Sequence, residues 1–232
     1  MKLDLFIKGE LIDLLIPTRE FALSSNWYSW FNDKKTTRFL EQGLFPNTRE
    51  KQAEFFDNES SNGQRLFLII SDKQNYIGTV SLSFINYQKK TASIAMLIGE
   101  KPAGSKYSHL IALESMARLI EHGFTSLGLH RIDAGSHELL CKFQQKIELL
   151  GLRLEGITRE GFNKGLETAD AVKIAVLLKD YLKLIEIRGS YWDSAEKMDE
   201  RIAKLPQIKF IEHFRKFMNT IGDDYYDKLS KL

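Results

Sequence analysis

Residues 65–156 carry the pattern that most constrains the fold of this chain. Residues 65–71 are apolar and rich in branched side chains, residues 77–87 alternate in polarity, and residues 91–99 form a further β-rich run. Residues 107–126 place apolar side chains three and four positions apart, which is the spacing of one buried helix face. The side chains of that face are Leu110, Leu113, Met116, Ala117, Ile120 and Phe124. A β meander followed by a long helix is thereby predicted.

Further strands and helices follow that helix. Residues 131–134 predict a short strand, residues 138–150 a second helix, and residues 152–157 and 169–178 the last two strands. A charged, glycine-containing stretch at 158–168 separates the last two strands and could be either an acceptor-side loop or a solvated hairpin. Because strands and helices alternate in this half of the chain, we predict an α/β fold.

The N-terminal region predicts a hairpin and then helices. Residues 3–7 and 11–16 are two short β-rich runs around a glycine. Residues 24–31 and 33–40 carry aromatic side chains at helical spacing, and residues 48–58 form a helix pattern with a threonine at its N-cap position. The aromatic side chains at helical spacing are Trp27, Trp30, Phe31 and Phe39.

The composition changes after residue 180. We predict one domain at 1–180 and a helical C-terminal extension at 181–232, with helices at 194–204 and 206–221. One face of the second helix is apolar, and its side chains are Ile208, Ile211, Phe214, Phe217 and Met218. Such a segment cannot bury this face alone, so we expect it to pack on the domain or on a partner, including a second copy of the chain.

Charge and cysteine content narrow the function. The net charge of +2 argues against a dedicated nucleic-acid binder, and we find no apolar run near the about 20 residues that cross a bilayer. The charged N-terminus does not resemble a signal peptide. A single cysteine, Cys141, allows no intrachain disulfide and fits the cytoplasm. The histidine spacing has no metal-ligand signature, so no metal site is expected.

The loop and helix start at residues 99–112 form a candidate anion site. A helix N-terminus presents unpaired backbone N–H groups and a partial positive charge, which suits a diphosphate. Ser105, Lys106 and Ser108 would add hydroxyl and ammonium donors. An ordinary strand–loop–helix connection accounts for the same spacing, so the pattern alone leaves both interpretations open.

The order of these elements resembles that of GNAT acetyltransferases, in particular the branch that acetylates ribosomal proteins and sugar amines. The fragments that carry the resemblance are residues 30–33, 46–48, 77–82, 92–100, 113–117, 122–132 and 150–156. The resemblance spans about residues 8–180 and implies a mixed, mostly antiparallel central sheet flanked by helices. It also implies acetyl-CoA or another acyl-CoA as donor.

The resemblance implies a set of cofactor-binding positions around the loop. They are Leu97, Ile98, Gly99, Ser105, Lys106, Tyr107, Ser108, Leu110, Ile111 and Ala112. The chain departs from the family pattern at four positions. Leu110 stands where the family's phosphate loop has a glycine, whose missing side chain lets backbone approach the phosphates. The family often has an asparagine at the position of Leu140 and a glutamate at that of Ser93. Ile147 stands where the family often has a tyrosine that serves as general acid for the departing thiolate.

Three side chains near the expected cleft are candidate bases: Glu100, His109 and His137. An amine must lose a proton before it attacks a thioester, which a carboxylate or imidazole can accept. Each has a structural alternative, because Glu100 could cap the loop, His109 could be solvated and His137 could cap the following helix. We expect Glu114, inside the long helix, to accept backbone N–H groups.

Aromatic side chains are candidates for the acceptor pocket. Trp30, Phe84 and Tyr87 could face a sugar ring, although aromatic residues at helical spacing are more often part of a core. We expect acyl-CoA-dependent N-acyl transfer to the amine of a small molecule, such as an amino-sugar. The alternatives are protein N-terminal acetylation and a catalytically degenerate binding or assembly module.

Overall fold

The computed structural model describes residues 2–61, 63–104 and 106–232, and within these ranges the strands form one eight-stranded sheet. The strands are β1 (Asp4–Lys8), β2 (Asp13–Ile16), β3 (Leu66–Ser71), β4 (Tyr76–Asn86), β5 (Thr91–Ile98), β6 (Arg131–His137), β7 (Arg153–Lys164) and β8 (Glu167–Leu177). The helices are α1 (Arg19–Ser24), α2 (Trp27–Trp30), α3 (Arg49–Ser60), α4 (Ile111–Thr125), α5 (Cys141–Glu148), α6 (Leu178–Arg188), α7 (Ala195–Ala203), α8 (Phe210–Phe217) and α9 (Asp223–Leu229). Turns of 3₁₀ helix precede α4 (Ser108–Leu110) and α5 (Glu138–Leu140).

The sheet is mixed and mostly antiparallel. Its strand order is β1-β2-β3-β4-β5-β6-β8-β7. Strands β5 and β6 pair in parallel, and the other neighbouring pairs are antiparallel. The predicted fold class is therefore confirmed, and helix α4 supplies the crossover that a parallel pair requires.

Alternate residues of the central strands feed two cores on opposite faces of the sheet. In β3, Leu68 and Ile70 belong to the main core, whereas Phe67 and Ile69 belong to the second core. The main core lies under α4 and α5, and the second core lies under α1, α2 and α3. A site on the second face is thus built by α1–α3, and a site on the first face by α4 and α5.

Helix α4 lies close against the sheet because its apolar stripe is buried, as predicted. Gly123 permits the close approach, since a Cβ at this position would stand 2.7 Å from Ile132 Cδ1. Glu114 is fully buried in the first turn, where it accepts hydrogen bonds from the backbone N–H groups of Glu10 and Leu11 at 2.6 and 2.7 Å. This buried carboxylate ties α4 to the turn between β1 and β2, and Arg118 neutralises it.

One local prediction was wrong. Residues 33–40 form turns rather than a helix, because the Asp33 carboxylate accepts hydrogen bonds from the backbone N–H and the hydroxyl of Thr36 at 2.8 and 2.6 Å. Of the two alternatives for residues 158–168, the structure shows the hairpin, since they largely form the two arms of a long hairpin between β7 and β8. Lys164 at its tip donates to the backbone oxygens of Thr37, Leu40 and Gln42.

The C-terminal extension packs into the main core. Tyr191, Trp192, Ala195 and Met198 are each at most 5% exposed. The hydroxyl of Tyr191 donates to the backbone oxygen of Leu150 at 2.6 Å. These contacts make α6 and α7 part of the hydrophobic interior.

Candidate active site

The parallel strands β5 and β6 pair at only three positions and then separate. The paired positions are Thr91 with Arg131, Ala92 with Ile132 and Ser93 with Asp133. Beyond Ser93, β5 continues to Ile98 along β4, while β6 continues to His137 along β8. The edge of β5 that faces β6 therefore has no strand partner over residues 94–98, and its main-chain groups are available to a ligand.

The N-terminus of α4 lies at the open end of this V-shaped gap. Helix α4 follows β5 and runs back along the sheet, so it starts near the C-terminal end of β5. Neither Tyr107, at the cap of the 3₁₀ turn, nor Leu110, at the cap of α4, makes a side-chain capping bond. Uncapped N–H groups and the helix dipole favour an anion here.

The predicted loop donors are only partly in place. Ser105 lies outside the described residues. Lys106 is exposed beside the ring of Tyr107, and the hydrogen bond with Tyr107 raises the pKa of the lysine. Ser108 opens the 3₁₀ turn and is partly exposed. Of the three predicted loop donors, Lys106 and Ser108 are thus the two that the structure describes, and both are accessible at the start of α4.

The apolar members of the predicted set are divided between the two cores and the partly exposed surface. Leu110 and Ile111 are buried in the main core, so the leucine that replaces the family's glycine does not face solvent at the helix start. Ala112 and Ile98 are half-buried, and Leu97 belongs to the second core. Gly99 lies against Trp30, where a Cβ would stand 2.2 Å from the indole.

Helix α7 covers part of this helix start with negative charge. His109 Nε2 lies 2.8 Å from Asp199 Oδ1. Glu196 and Asp199 also act electrostatically on Lys106. Glu10 anchors the start of α7, since its Oε2 accepts from Trp192 Nε1 at 3.0 Å and from the backbone N–H of Ala195 at 2.8 Å. Carboxylates at this point oppose the positive potential that a diphosphate would use.

The three candidate bases lie in separate surroundings. Glu100 follows β5, and its Oε1 accepts the indole N–H of Trp30 at 2.9 Å. His109 is held by Asp199 at α7. His137 ends β6, where its Nδ1 accepts the backbone N–H of Leu139 at 3.1 Å, as the capping interpretation predicts. No hydrogen bond or ion pair joins two of the three within the described ranges.

His137 is the most enclosed of these side chains. Its side chain is 1% exposed, and Nε2 lies 3.3 Å from Glu167 Oε1. The rings of Phe39 and Phe162 pack on it with centroids 4.8 and 4.6 Å away. Such enclosure suits a structural histidine that joins β6 to the β7–β8 hairpin.

Two adjoining cavities lie on the second face of the sheet. The inner cavity, of about 90 Å³, reaches Ser81 and Ala95 on β4 and β5. The outer cavity, of about 440 Å³, opens to solvent past Glu41 and Lys51. Four residues line both cavities, which makes them one path: Phe31, Gln42, Phe55 and Arg65.

The predicted acceptor-side aromatics do not line this path. Trp30 is buried in the second core. Phe84 and Tyr87 are 78% and 59% exposed at the hairpin between β4 and β5. Arg65 is instead the charged group that lines both cavities; its Nη1 lies 3.3 Å from Glu59 Oε2, and its Nε is buried without a hydrogen-bond partner among the described residues.

Sequence reasoning missed one polar pair at the apex of the gap. Ser93 Oγ donates to Asp133 Oδ1 at 2.6 Å across the last paired position of β5 and β6. Arg131 lies 3.7 Å from Asp133 and forms two hydrogen bonds with the carboxylate of Glu155. The pairing register of β5 and β6 could not be read from the sequence, so no local signal marked Asp133.

The described ranges contain neither a metal-ligand cluster nor a membrane-spanning helix. No group of three or more His, Cys, Asp or Glu side chains there is arranged to hold a metal ion. In the same ranges, each helix is too short or too polar to cross a bilayer.

Comparison with known proteins gives the family. Residues 18–139, more than half of the 232 residues, match the acetyltransferase (GNAT) domain family. The uncharacterized N-acetyltransferase YnaD of Bacillus subtilis (strain 168) is 24% identical over 169 residues, which is 72% of this chain and 95% of that protein.

Solved structures share the fold. The spermidine N-acetyltransferase of Vibrio cholerae, in complex with CoA and spermine, has a TM-score of 0.65 and 21% identity and covers 74% of this chain and 98% of its own. The microcin C7 self-immunity acetyltransferase MccE, in complex with acetyl-CoA and AMP, has a TM-score of 0.62 and 22% identity and covers 73% and 94%. The chain belongs to the GNAT acetyltransferase family and is an N-acetyltransferase.

Proposed function

We propose that this chain transfers an acyl group, most simply acetyl, from acyl-CoA to the amine of a small molecule. The observation that carries the proposal is the gap between β5 and β6, which opens at Ser93 and Asp133 next to the inner cavity. A donor in the gap and an acceptor in the cavities would approach the sheet at the same strand, β5.

The residues around the gap fit acyl-CoA. Main-chain groups of β5 at 94–98 are free of a strand partner, which suits the amide-rich arm and the thioester. Lys106, Ser108 and the uncapped start of α4 suit the diphosphate. Leu110 is buried in the main core and leaves that surface to backbone groups. Asp199, which holds His109, and Glu196 are the nearby carboxylates that oppose an anion.

The acceptor side favours a small molecule over a polypeptide. The two cavities together fall within the size range of small-molecule sites, about 300–1,000 Å³. Lys164 of the β7–β8 hairpin donates to the backbone oxygens of Thr37, Leu40 and Gln42, and Gln42 also lines both cavities. This bridge fixes the wall of the path, whereas an extended peptide requires an open groove.

Arg65 is the group of the path that favours an acceptor with an anionic group. It lines both cavities and pairs with Glu59 through Nη1 at 3.3 Å, whereas Lys51 and Glu41 line the outer cavity with opposite charges. The Nε–H of Arg65 has no hydrogen-bond partner among the described residues and would donate to a phosphate or carboxylate oxygen. A nucleotide-activated amino-sugar combines such a group with a reactive amine. The presence of AMP in the MccE structure is consistent with a nucleotide acceptor.

The chemistry requires few protein groups. The neutral amine attacks the thioester carbonyl carbon, the C–N bond forms, and the C–S bond breaks with its electron pair leaving on sulfur. The amine proton passes to a base and the thiolate takes up a proton, which gives the amide and CoA thiol. Free N–H groups on the β5 edge could stabilise the oxyanion that forms during attack.

One observation weighs against tight binding of the donor. Helix α7 lies on the start of α4 and brings the carboxylates of Glu196 and Asp199 to it. These carboxylates oppose the positive potential that the diphosphate would use, so they should weaken acyl-CoA binding.

Thiol release with acetyl-CoA tests the proposed function. The acceptors are a nucleotide-linked amino-sugar, the same free amino-sugar, spermidine and a peptide with a free N-terminus. We expect the highest kcat/KM with the nucleotide-linked amine. A preference for the peptide would support protein N-terminal acetylation, and release with none of the four, against a heat-denatured control, would contradict the proposed function.

A further inference from the structure

Asp133 stands at the apex of the gap and on the acceptor face of the sheet. Register pairs Ser83 with Ser93, Ser93 with Asp133 and Asp133 with Ala175, so these four side chains form one row across β4, β5, β6 and β8. Opposed residues in neighbouring strands point to the same face. The row is polar in its first three members, and its carboxylate lies where β5 and β6 separate.

The row adjoins the inner cavity. Ala95, which lines that cavity, lies two residues beyond Ser93 on the same face of β5. Two residues of strand span about 7 Å, and neighbouring strands are about 4.8 Å apart. An amine bound over Ala95 is therefore within reach of Asp133, directly or through one water molecule.

One oxygen of the Asp133 carboxylate is hydrogen-bonded, and the other can accept a hydrogen bond from a further donor. Ser93 donates to Oδ1 at 2.6 Å, and the side chain remains 38% exposed. Arg131 lies 3.7 Å from Oδ2, but its guanidinium is bound by Glu155. That bond raises the pKa of Arg131 and lowers the pKa of Glu155, as expected for mutual neutralisation. Oδ2 is left as an acceptor for a further donor.

We propose that Asp133 receives the acceptor amine and accepts its proton during acyl transfer, and that Ser93 positions it. This inference rests on the proposed function. The N–H bond breaks as the new C–N bond completes, the proton moves to Oδ2 or to a water held by it, and it then passes to solvent. The electron pair of the broken C–S bond leaves with CoA, so no further reactant is required.

The charged groups around Asp133 come from three strands. They are Arg131 on β6, Glu155 on β7 and Lys173 on β8, which lies opposite Gly135, two residues beyond Asp133. Ser93 on β5 is neutral. Its hydrogen bond holds the Asp133 carboxylate in one orientation, so removing the hydroxyl should lower kcat more than it changes KM.

The first test is Asp133→Asn, assayed with acetyl-CoA and the four amines above. We expect kcat to fall by about 100-fold or more, as for loss of a general base. The dissociation constant for acetyl-CoA, measured by calorimetry, should stay within twofold. Asp57→Asn, which removes an exposed carboxylate of α3, serves as the matched control and should keep the wild-type kcat.

The second test compares kcat and KM of Ser93→Ala with those of Ser93→Thr. We expect kcat to fall by about tenfold in the alanine variant, with KM for the acceptor within about twofold, and to return in the threonine variant, which keeps the hydroxyl donor. An active wild type whose Asp133→Asn variant stays within threefold of it overturns this inference alone. A wild type that releases thiol with none of the amines overturns the proposed function and this inference with it.

Discussion

Asp199 of α7 holds His109, one residue before Leu110 at the start of α4, with Nε2 and Oδ1 2.8 Å apart. The pair joins the C-terminal extension to the part of the gap that should receive the acyl-CoA diphosphate. Donor binding should therefore depend on how the extension packs at the start of α4.

Asp199→Asn should tighten acetyl-CoA binding. The substitution removes a negative charge beside the helix N-terminus and releases His109, both of which favour an anion there. Because the pair is about 41% exposed and therefore screened, we expect a three- to tenfold lower dissociation constant, about 0.7–1.4 kcal/mol. Calorimetry in low and moderate salt measures it, with Asp223→Asn of α9 as control. Weaker binding by Asp199→Asn would show that the pair supports the donor site instead.

Truncation after Asp180 should leave an unstable protein that aggregates. The cut removes Tyr191, Trp192, Ala195 and Met198 from the main core. Each large apolar side chain contributes about 1.5–3 kcal/mol on burial, and whole domains are stable by only about 5–15 kcal/mol.

The matched control for this truncation ends at Gly222. It removes α9, which has no buried residue, and should unfold at the wild-type temperature. Thermal unfolding and size-exclusion chromatography measure both variants. A stable, monomeric protein ending at Asp180 would contradict the account. A smaller assembly in the Gly222 variant would support the prediction that the C-terminal helices mediate self-association.

Asp193 should make stability fall in acid. Its hydrogen bonds with Arg201 lower its pKa from 3.8 to about 2, and its side chain is 6% exposed. A lowered folded-state pKa stabilises the protein above the unfolded value of 3.8, and this contribution is lost as the pH falls toward 2. It amounts to about 2 kcal/mol.

Urea unfolding of wild type and Asp193→Asn at pH 6 and pH 2.5 tests this value. The difference in unfolding free energy between the two proteins should shrink at the lower pH. An equal difference at both pH values would mean that the ion pair with Arg201 does not contribute through the ionisation of Asp193.

Arg65→Gln should change acceptor preference. The guanidinium lines both cavities and pairs with Glu59 through Nη1, but its Nε has no hydrogen-bond partner among the described residues. Its loss should therefore raise KM for a nucleotide-linked amine by about tenfold or more. KM for the free amino-sugar should change less than twofold. Arg19→Gln, an exposed arginine paired with Asp57, is the control. Equal effects on both acceptors would contradict an anion-binding role.

Much of the architecture could be predicted because it rests on local patterns. The stripe of α4 and the β meander before it repeat at the periods that burial on one face requires, and both are present. Helix α6 was not predicted, since β8 runs from Leu177 directly into Leu178 without a glycine or proline to mark the change. Asp180, in the first turn of α6, accepts the backbone N–H of the N-cap residue Leu177 at 3.2 Å.

The site was harder to predict because it depends on contacts between distant parts of the chain. Asp133 and Ser93 are 40 positions apart and meet through strand register. His109 and Asp199 are 90 positions apart and meet through the packing of the extension. His137 could be recognised as a cap because the group it binds, the Leu139 N–H, is two residues away. Local chemistry is readable from sequence, whereas register and docking require the fold.

Calorimetric titration of the full chain with acetyl-CoA measures whether the gap between β5 and β6 binds the donor. We expect one site per chain with a dissociation constant below 1 mM, about −4 kcal/mol or stronger, and tighter binding in Asp199→Asn. No heat of binding at millimolar acetyl-CoA, in either protein, would contradict this expectation and leave only the fold.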